Sequence, residues 1–181
     1  DAVRVLADEQ IAPRAAEIDR TAEFPWDVKD LLAGHDILGL PFPTEYGGLG
    51  GELLTVALAV EQISRACATS GLILAVQELG ALPILLAGTD EQQAQWLPPL
   101  LEEPILCSFG LSEPEAGSDV AKLKTTAERR GDEYVVNGSK TFITNGPYAD
   151  TIVFICKLDE GNEPADRKVV QFVLDSGMPV L

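Results

Sequence analysis

The sequence is poor in the residues that most often build metal and nucleophile sites. It contains three cysteines, one histidine and one methionine among 181 residues. The cysteines, Cys67, Cys107 and Cys156, lie far apart, so their spacing predicts neither a disulfide framework nor a zinc or other metal site. Each has apolar neighbours, which predicts buried, reduced thiols and an intracellular protein. The single histidine, His35, lies in a loop-like segment, where we expect a structural role.

Basic residues are also scarce, with 13 lysines and arginines against 29 acidic residues and a net charge of -16. This balance disfavours nucleic acids and anionic membranes as partners, because their phosphates would be repelled. The sequence has no run of 18 or more apolar residues, so no membrane span is expected, and nothing in it is typical of a signal peptide. With 46% hydrophobic residues, the chain has enough apolar surface for a core.

The apolar spacing before Glu103 predicts helices. A helix starts at Pro25, and Thr89 with Gln92 predicts a capping box on the last helix, which ends before Glu103. The stretch Thr69–Gly88 is apolar nearly all round, which predicts a buried helix. The other apolar helix positions are Val3, Leu6, Ala7 and Ile11; Leu31 and Leu32; and Leu53, Val56, Ala57, Val60 and Ile63.

After Glu103 the spacing predicts strands. Segments 125–130 and 133–137 flank Gly131-Asp132 as in a hairpin, and segments 151–158 and 168–174 are β-branched and apolar. The sequence therefore predicts an α+β fold: an N-terminal all-α helical domain over residues 1–103, followed by a small antiparallel β-barrel domain over residues 104–181.

One unusual segment runs from Gly110 to Val120 and combines small residues, hydroxyls and backbone amides. Gly117 allows close approach of a ligand, and the Ser118 hydroxyl with neighbouring amides could hold a carbonyl or phosphate oxygen. A turn that stabilises itself through its own side chains explains the segment equally well. The glycine-rich stretch 47–51 has no preceding strand and is interpreted as a turn.

A second segment, Asn137–Gly146, contains Thr-Phe-Ile-Thr between turn residues. Phe142 and Thr144 are two residues apart, so on a strand they would lie on one face. A ring and a hydroxyl on one face suit a planar heteroaromatic ligand, whereas the alternative is a core Phe beside a locally bonded Thr.

These segments resemble the paired flavin motifs of the acyl-CoA dehydrogenase family. The resemblance is carried by Leu-Ser-Glu-Pro-Glu-Ala-Gly-Ser-Asp-Val at 111–120 and Phe-Ile-Thr-Asn-Gly at 142–146. Segments 131–140, 43–50 and 82–92 are similar to that family too, in the same order along almost the whole chain.

The resemblance implies that the chain forms one wall of an FAD site. The Ser112 hydroxyl would bond the pyrimidine side of the flavin, and Phe142 would cover the ring where family members often carry Trp. Thr144 would bond near N5, and Ser118 would touch the pantetheine part of an acyl-CoA substrate, with Gly117 letting that chain pass. The implied cofactor-binding residues are Phe109, Leu111, Ser112, Gly117, Ser118, Phe142, Ile143 and Thr144.

The implied reaction oxidises the α,β C–C bond of an acyl-CoA thioester to a trans-2-enoyl-CoA, with hydride transfer to flavin N5. The family's catalytic base lies in a further C-terminal helical domain, so no catalytic residue is assigned here, Glu113 included, and we expect these residues alone to be inactive. The helix 72–86 would wall the acyl pocket, with Val76, Gln77, Glu78 and Leu79 limiting its depth.

The resemblance also implies a cellular setting. It implies an electron-transfer flavoprotein as acceptor, a homodimer or homotetramer, and a role in fatty acid metabolism. The location would be cytoplasmic in a bacterium and the mitochondrial matrix in a eukaryote. Alternatives of the same fold are an acyl-CoA oxidase, a flavin monooxygenase and a non-catalytic scaffold subunit.

Overall fold

The computed structural model describes residues 1–102 and 106–178, and the chain forms two compact units, Asp1–Leu106 and Cys107–Leu181. The first unit is helical and the second contains a small sheet, which confirms the α+β class and the order of its parts. The predicted boundary between residues 103 and 104 lies outside the described residues.

The first unit contains seven α-helices within its described residues. Between the first two, Ala7–Ile11 forms a π-helical turn and Ala12–Arg14 a 3-10 turn. Leu6, Ala7 and Ile11 are buried, which confirms the predicted face of this segment. The helices are α1 Ala2–Leu6, α2 Ala15–Thr21, α3 Trp26–Gly34, α4 Leu53–Ala66, α5 Ala68–Ala87, α6 Asp90–Trp96 and α7 Pro99–Glu102.

The buried face of α4 differs from the predicted stripe. Val56, Ala59 and Ile63 are buried, whereas Leu53 and Ala57, which were expected in the stripe, are exposed. The buried residues have the spacing i, i+3, i+7, so the packed face of the helix includes Ala59 and is rotated relative to the predicted stripe. Alanine is weakly apolar, so its burial is decided by how closely the neighbouring helix approaches.

The prediction that α5 is buried all round is wrong for one of its faces. Leu72, Leu79 and Leu82 are exposed, and Leu86 is 77% exposed, while Ile73, Leu74 and Ile84 pack in the core. By length and composition alone α5 is apolar enough to cross a membrane, with a mean hydropathy of 1.7. Half of that window is buried inside the protein, and a core helix passes the same test.

The end of the helical unit also differs from expectation. Thr89 and Gln92 form the predicted capping box, with the Gln92 amide donating to Thr89 Oγ1 at 3.3 Å and the Thr89 amide to Gln92 Oε1 at 3.0 Å. The helix ends at Trp96, however, and a separate short helix starts at Pro99. Proline lacks an amide donor, which explains the interruption by the Pro98-Pro99 pair.

The second unit contains a five-stranded sheet in which strand β4 is central. The strands are β1 Cys107–Gly110, β2 Thr126–Arg130, β3 Glu133–Asn137, β4 Thr151–Asp159 and β5 Val169–Asp175. The β2–β3 hairpin and both long strands confirm the predicted elements, and Gly131 has the positive φ of +67° that a two-residue turn requires.

The sheet is mixed rather than antiparallel as predicted. Strand β4 pairs antiparallel with β5, but its other edge pairs parallel with β1 in its first half and with β2 in its second half. Parallel pairing needs a long connection, and the forty residues of 111–150 between β1 and β4 supply it. Alternating apolar residues within one strand carry no information on the direction of its neighbours.

Candidate functional site

The two motifs of the β unit are joined by hydrogen bonds along β1. The Asn145 side-chain amide donates to the Cys107 carbonyl at 3.3 Å, and Ser108 Oγ donates to the Thr144 carbonyl at 2.8 Å. The Thr141 amide donates to the Ser112 carbonyl at 2.9 Å. The segment 141–145 therefore runs beside 107–112 in the opposite direction, so the two motifs lie side by side.

The expectation that Phe142 and Thr144 share one face of a strand is wrong. Phe142 and Asn145 have φ values of +56° and +63°, which no strand accommodates. The Asn145 carbonyl accepts the amides of Tyr148 and Ala149, both at 2.8 Å, and so closes a turn. These local bonds outcompete the extended conformation that Phe-Ile-Thr would otherwise favour.

Phe142 is nonetheless held at the surface of the β unit. Its side chain is 95% exposed, which excludes the alternative of a core phenylalanine. A left-handed conformation costs a non-glycine residue about 1–2 kcal/mol, and a fully hydrated ring also forgoes burial. Both the strained backbone and the exposed ring disfavour this conformation of Phe142. An exposed ring near the exposed Thr144 fits a planar heteroaromatic group such as a flavin.

The other predicted residues lie along β1 and the loop that follows it. Phe109, Leu111, Ser112 and Ile143 are half-buried, and Ser118 is exposed. A side chain added at Gly117 would meet no atom within 4 Å, so space beside this glycine is open. No hydrogen bond in the described part of the chain links Gly117 or Ser118 to the 141–145 segment.

A buried ion pair beneath this surface was missed by the sequence reasoning. Lys140 Nζ donates to Glu113 Oε1 at 2.8 Å, and their side chains are 6% and 5% exposed. Lys140 also donates to the Leu111 carbonyl at 2.9 Å. The sequence offers one weak signal, since Lys140 is the one charged residue in 137–146, but only burial makes a partner necessary.

Glu113 is held as a carboxylate. Burial by itself raises its pKa, but the bonds from Lys140 and from the amides of Lys124 and Thr125 reverse this and lower the pKa to about 2. Its Oε2 accepts the Lys124 amide at 2.7 Å and its Oε1 the Thr125 amide at 3.2 Å. A carboxylate with this pKa and these internal donors is a poor general base near neutral pH.

The cysteines supply no nucleophile. All three are buried and none forms a disulfide bond, which confirms the predicted buried thiols. Burial raises the pKa of Cys107 to about 12 and that of Cys156 to about 11. The thiolate, which is the reactive form, is therefore strongly disfavoured at both positions. Within the described residues no group of three His, Cys, Asp or Glu side chains is placed to hold a metal ion.

The residues expected to limit the acyl pocket lie on different sides of α5. Val76 and Gln77 are buried within the helical unit, Leu79 is exposed, and Glu78 is half-buried. Partial burial raises the pKa of Glu78. Leu79 and Glu78 are therefore accessible to a ligand at the surface of this unit, whereas Val76 and Gln77 belong to its core.

Comparisons with known proteins give matches to both units of the chain. Residues 1–104 match the model of the acyl-CoA dehydrogenase N-terminal domain, and residues 108–181 match that of the acyl-CoA dehydrogenase middle domain. The chain is 40% identical over 176 residues to the short-chain specific acyl-CoA dehydrogenase of Clostridium acetobutylicum. The aligned region covers 97% of this chain and 46% of that protein.

Solved structures give the same result. One, described as the electron transferring flavoprotein of Acidaminococcus fermentans, has a TM-score of 0.88 and 36% identity, over 98% of this chain and 46% of that one. An acyl-CoA dehydrogenase complexed with FAD from Bacillus anthracis has a TM-score of 0.84 and 29% identity, over 97% of this chain and 30% of that one. The chain thus spans less than half the length of these relatives.

Proposed function

The chain belongs to the acyl-CoA dehydrogenase family, and we propose that it forms part of an FAD-dependent enzyme that oxidises acyl-CoA thioesters to trans-2-enoyl-CoA. The observation that carries the proposal is the fully exposed Phe142, held in a left-handed conformation on the surface that joins both motifs. The FAD named with the Bacillus anthracis relative supports the choice of cofactor.

The residues of this surface have complementary tasks. Phe142 packs on the ring and excludes water from one of its faces. The hydroxyls of Ser112 and Thr144 donate hydrogen bonds that orient the ring and stabilise negative charge on it. When bound, FAD would supply the two-electron redox chemistry of the reaction.

The loop after β1 serves the substrate. Ser118 is exposed and provides a hydroxyl for a polar group of the CoA chain, and Gly117 leaves space for that chain to pass. Binding of this remote part of the substrate positions the acyl group without taking part in the reaction.

The proton at the α carbon needs a base, and we assign this role to none of the residues that the structure describes. Glu113 is the carboxylate closest in sequence to the proposed ring surface, and its oxygens are occupied by internal donors. We therefore assign the base, and the remainder of the FAD surface, to parts of the protein other than this chain. This division agrees with the length of the relatives, of which the chain spans less than half.

We also propose a short-chain acyl-CoA as substrate and an electron-transfer flavoprotein as acceptor, in a homodimer or homotetramer. The Clostridium acetobutylicum relative, which is named as short-chain specific, supports the substrate class. The likeness to a structure described as an electron transferring flavoprotein supports flavin-to-flavin electron transfer.

The full-length protein tests the proposal. We expect a yellow flavin spectrum that bleaches without oxygen when a short-chain acyl-CoA is added, with slower or weaker bleaching for long chains. Absence of bleaching with acyl-CoAs of every length would contradict the dehydrogenase function and favour a scaffold subunit. Rapid reoxidation by oxygen rather than by an electron-transfer flavoprotein would instead show an oxidase or a monooxygenase.

A further inference from the structure

The ammonium group of Lys140 makes three contacts inside the β unit. It donates to the Leu111 carbonyl at 2.9 Å and to Glu113 Oε1 at 2.8 Å. Lys140 Nζ also lies over the ring of Phe154, 5.1 Å from the ring centroid. With a side chain only 6% exposed, Lys140 is out of reach of a ligand and can act only through the groups it holds.

The Leu111 carbonyl is therefore turned inward. A trans peptide is planar, and its N–H points in the direction opposite to its C=O. The Ser112 amide belongs to the same peptide group as the Leu111 carbonyl, so it points away from Lys140. No group in the described part of the chain accepts a hydrogen bond from this amide, which leaves it free to bind an acceptor on a ligand.

Glu113 keeps Lys140 in place. Its carboxylate is bonded to the two residues that precede β2, by the amides of Lys124 and Thr125 at 2.7 and 3.2 Å. Its own backbone closes a tight turn, since the Glu113 amide donates to the Ala116 carbonyl at 2.7 Å. The ion pair thus joins the loop of the first motif, the segment of the second motif and the hairpin.

We propose that Lys140, anchored by Glu113, is a positioning residue that orients the Leu111–Ser112 peptide so that its amide donates to the bound flavin ring. This inference rests on the proposed function. Electron density on the ring increases on reduction, so a fixed donor stabilises the reduced form more than the oxidised form. Lys140 therefore raises the reduction potential of the cofactor without touching it.

The test compares FAD affinities of the full-length protein in both redox states. In Lys140→Met the Leu111 carbonyl loses its donor and the peptide is free to rotate. We expect the dissociation constant of reduced FAD to rise about tenfold more than that of oxidised FAD, since a hydrogen bond to a charged group contributes at least that much. For a two-electron couple this difference equals a midpoint potential about 30 mV more negative.

Lys122→Met is the matched control, because Lys122 forms an exposed ion pair with Asp119 in the same region of the chain. It removes one positive charge and should leave the midpoint potential as in the parent protein. Equal weakening of both redox states in Lys140→Met would show a purely structural role and overturn the inference. A parent protein that binds no FAD at all would instead contradict the proposed function.

Lys140→Met leaves a buried carboxylate without its cation, which can prevent folding. The double variant Glu113→Gln/Lys140→Met removes both charges together and avoids this cost. We expect it to show the same direction of potential shift, and an unchanged potential in a folded double variant would overturn the inference.

Discussion

Two residues of the β unit adopt states that their side-chain chemistry alone would not favour. Phe142 is exposed although it is apolar and has a left-handed backbone although it carries a Cβ. Glu113 is buried although it is charged. Glu113 accepts hydrogen bonds from Lys140, Lys124 and Thr125, and Phe142 lies between Thr141 and Thr144, which are bonded to 107–112. Both states therefore depend on the tertiary structure around the proposed flavin surface.

Replacing Phe142 distinguishes the effect of this residue on the free energy of unfolding from its effect on FAD binding. In Phe142→Gly the backbone strain is relieved, at the expense of a more flexible unfolded chain. We therefore expect the free energy of unfolding to change by less than about 1 kcal/mol, while the dissociation constant of FAD rises about tenfold through loss of ring contact.

Flavin fluorescence titration and urea unfolding of the full-length protein measure the two quantities. Phe142→Trp, which keeps an aromatic ring at this position, serves as the control and should bind FAD as the parent protein does. A Phe142→Gly protein with undiminished FAD affinity would show that the ring does not contact the cofactor.

The carboxylate of Glu113 makes stability depend on pH in the acid range. Its pKa in the folded protein is about 2, below the ordinary value of 4.5. A lowered folded-state pKa contributes stability that is present above the unfolded value and is lost as the pH falls toward the folded value. We expect stability to decline between about pH 5 and pH 2, and Glu113→Gln to decline less.

Urea unfolding at stepped pH measures this difference between the two proteins. Glu115→Gln is the control, because Glu115 is exposed and paired with Lys124 at the surface. It should follow the pH dependence of the parent protein. Parallel curves for the parent protein and Glu113→Gln would mean that Glu113 is not held ionised.

At the scale of the elements, the turn after β3 packs against the residue that precedes β2. A Cβ added at Gly138 would lie 2.2 Å from Thr125 Oγ1 and 2.6 Å from Thr125 Cβ. Thr125 also donates its amide to Glu113. The close approach at Gly138 therefore sets the distance between the hairpin and the segment that leads to Lys140.

Two glycine substitutions distinguish packing from ligand binding. Gly138→Ala should reduce the free energy of unfolding by about 1–3 kcal/mol, because Thr125 and the hairpin must move. Gly117→Ala should leave stability nearly unchanged, since the space beside it is open, but should weaken acyl-CoA binding. Thermal unfolding and acyl-CoA titration of both variants give the comparison. Similar losses of stability in both would contradict the assigned packing.

At the scale of the whole molecule, these 181 residues supply one wall of the proposed site. We expect them, expressed as a separate chain, to bind FAD at least about a hundredfold more weakly than the full-length protein, because binding energy is shared among all surfaces that bury the cofactor. Equilibrium dialysis of both proteins measures the ratio. Equal affinities would show that the site is complete within this chain.

Much of this organisation could be predicted from the order of the residues. The helices, the hairpin and the long strands follow from local periodicity and turn chemistry, which depend on residues near in sequence. The motifs at 111–120 and 142–146 identified the family for the same reason, since their spacing is a property of the sequence alone.

Other features were decided only by tertiary structure. The parallel pairing of β4 with β1, the exposed face of α5 and the positive φ of Phe142 depend on segments far apart in sequence. The Glu113–Lys140 pair joins residues 27 positions apart. The pair is buried only because the loop, the hairpin and β4 enclose it. A charged side chain needs a partner only when it is removed from water, and the sequence does not show where that happens.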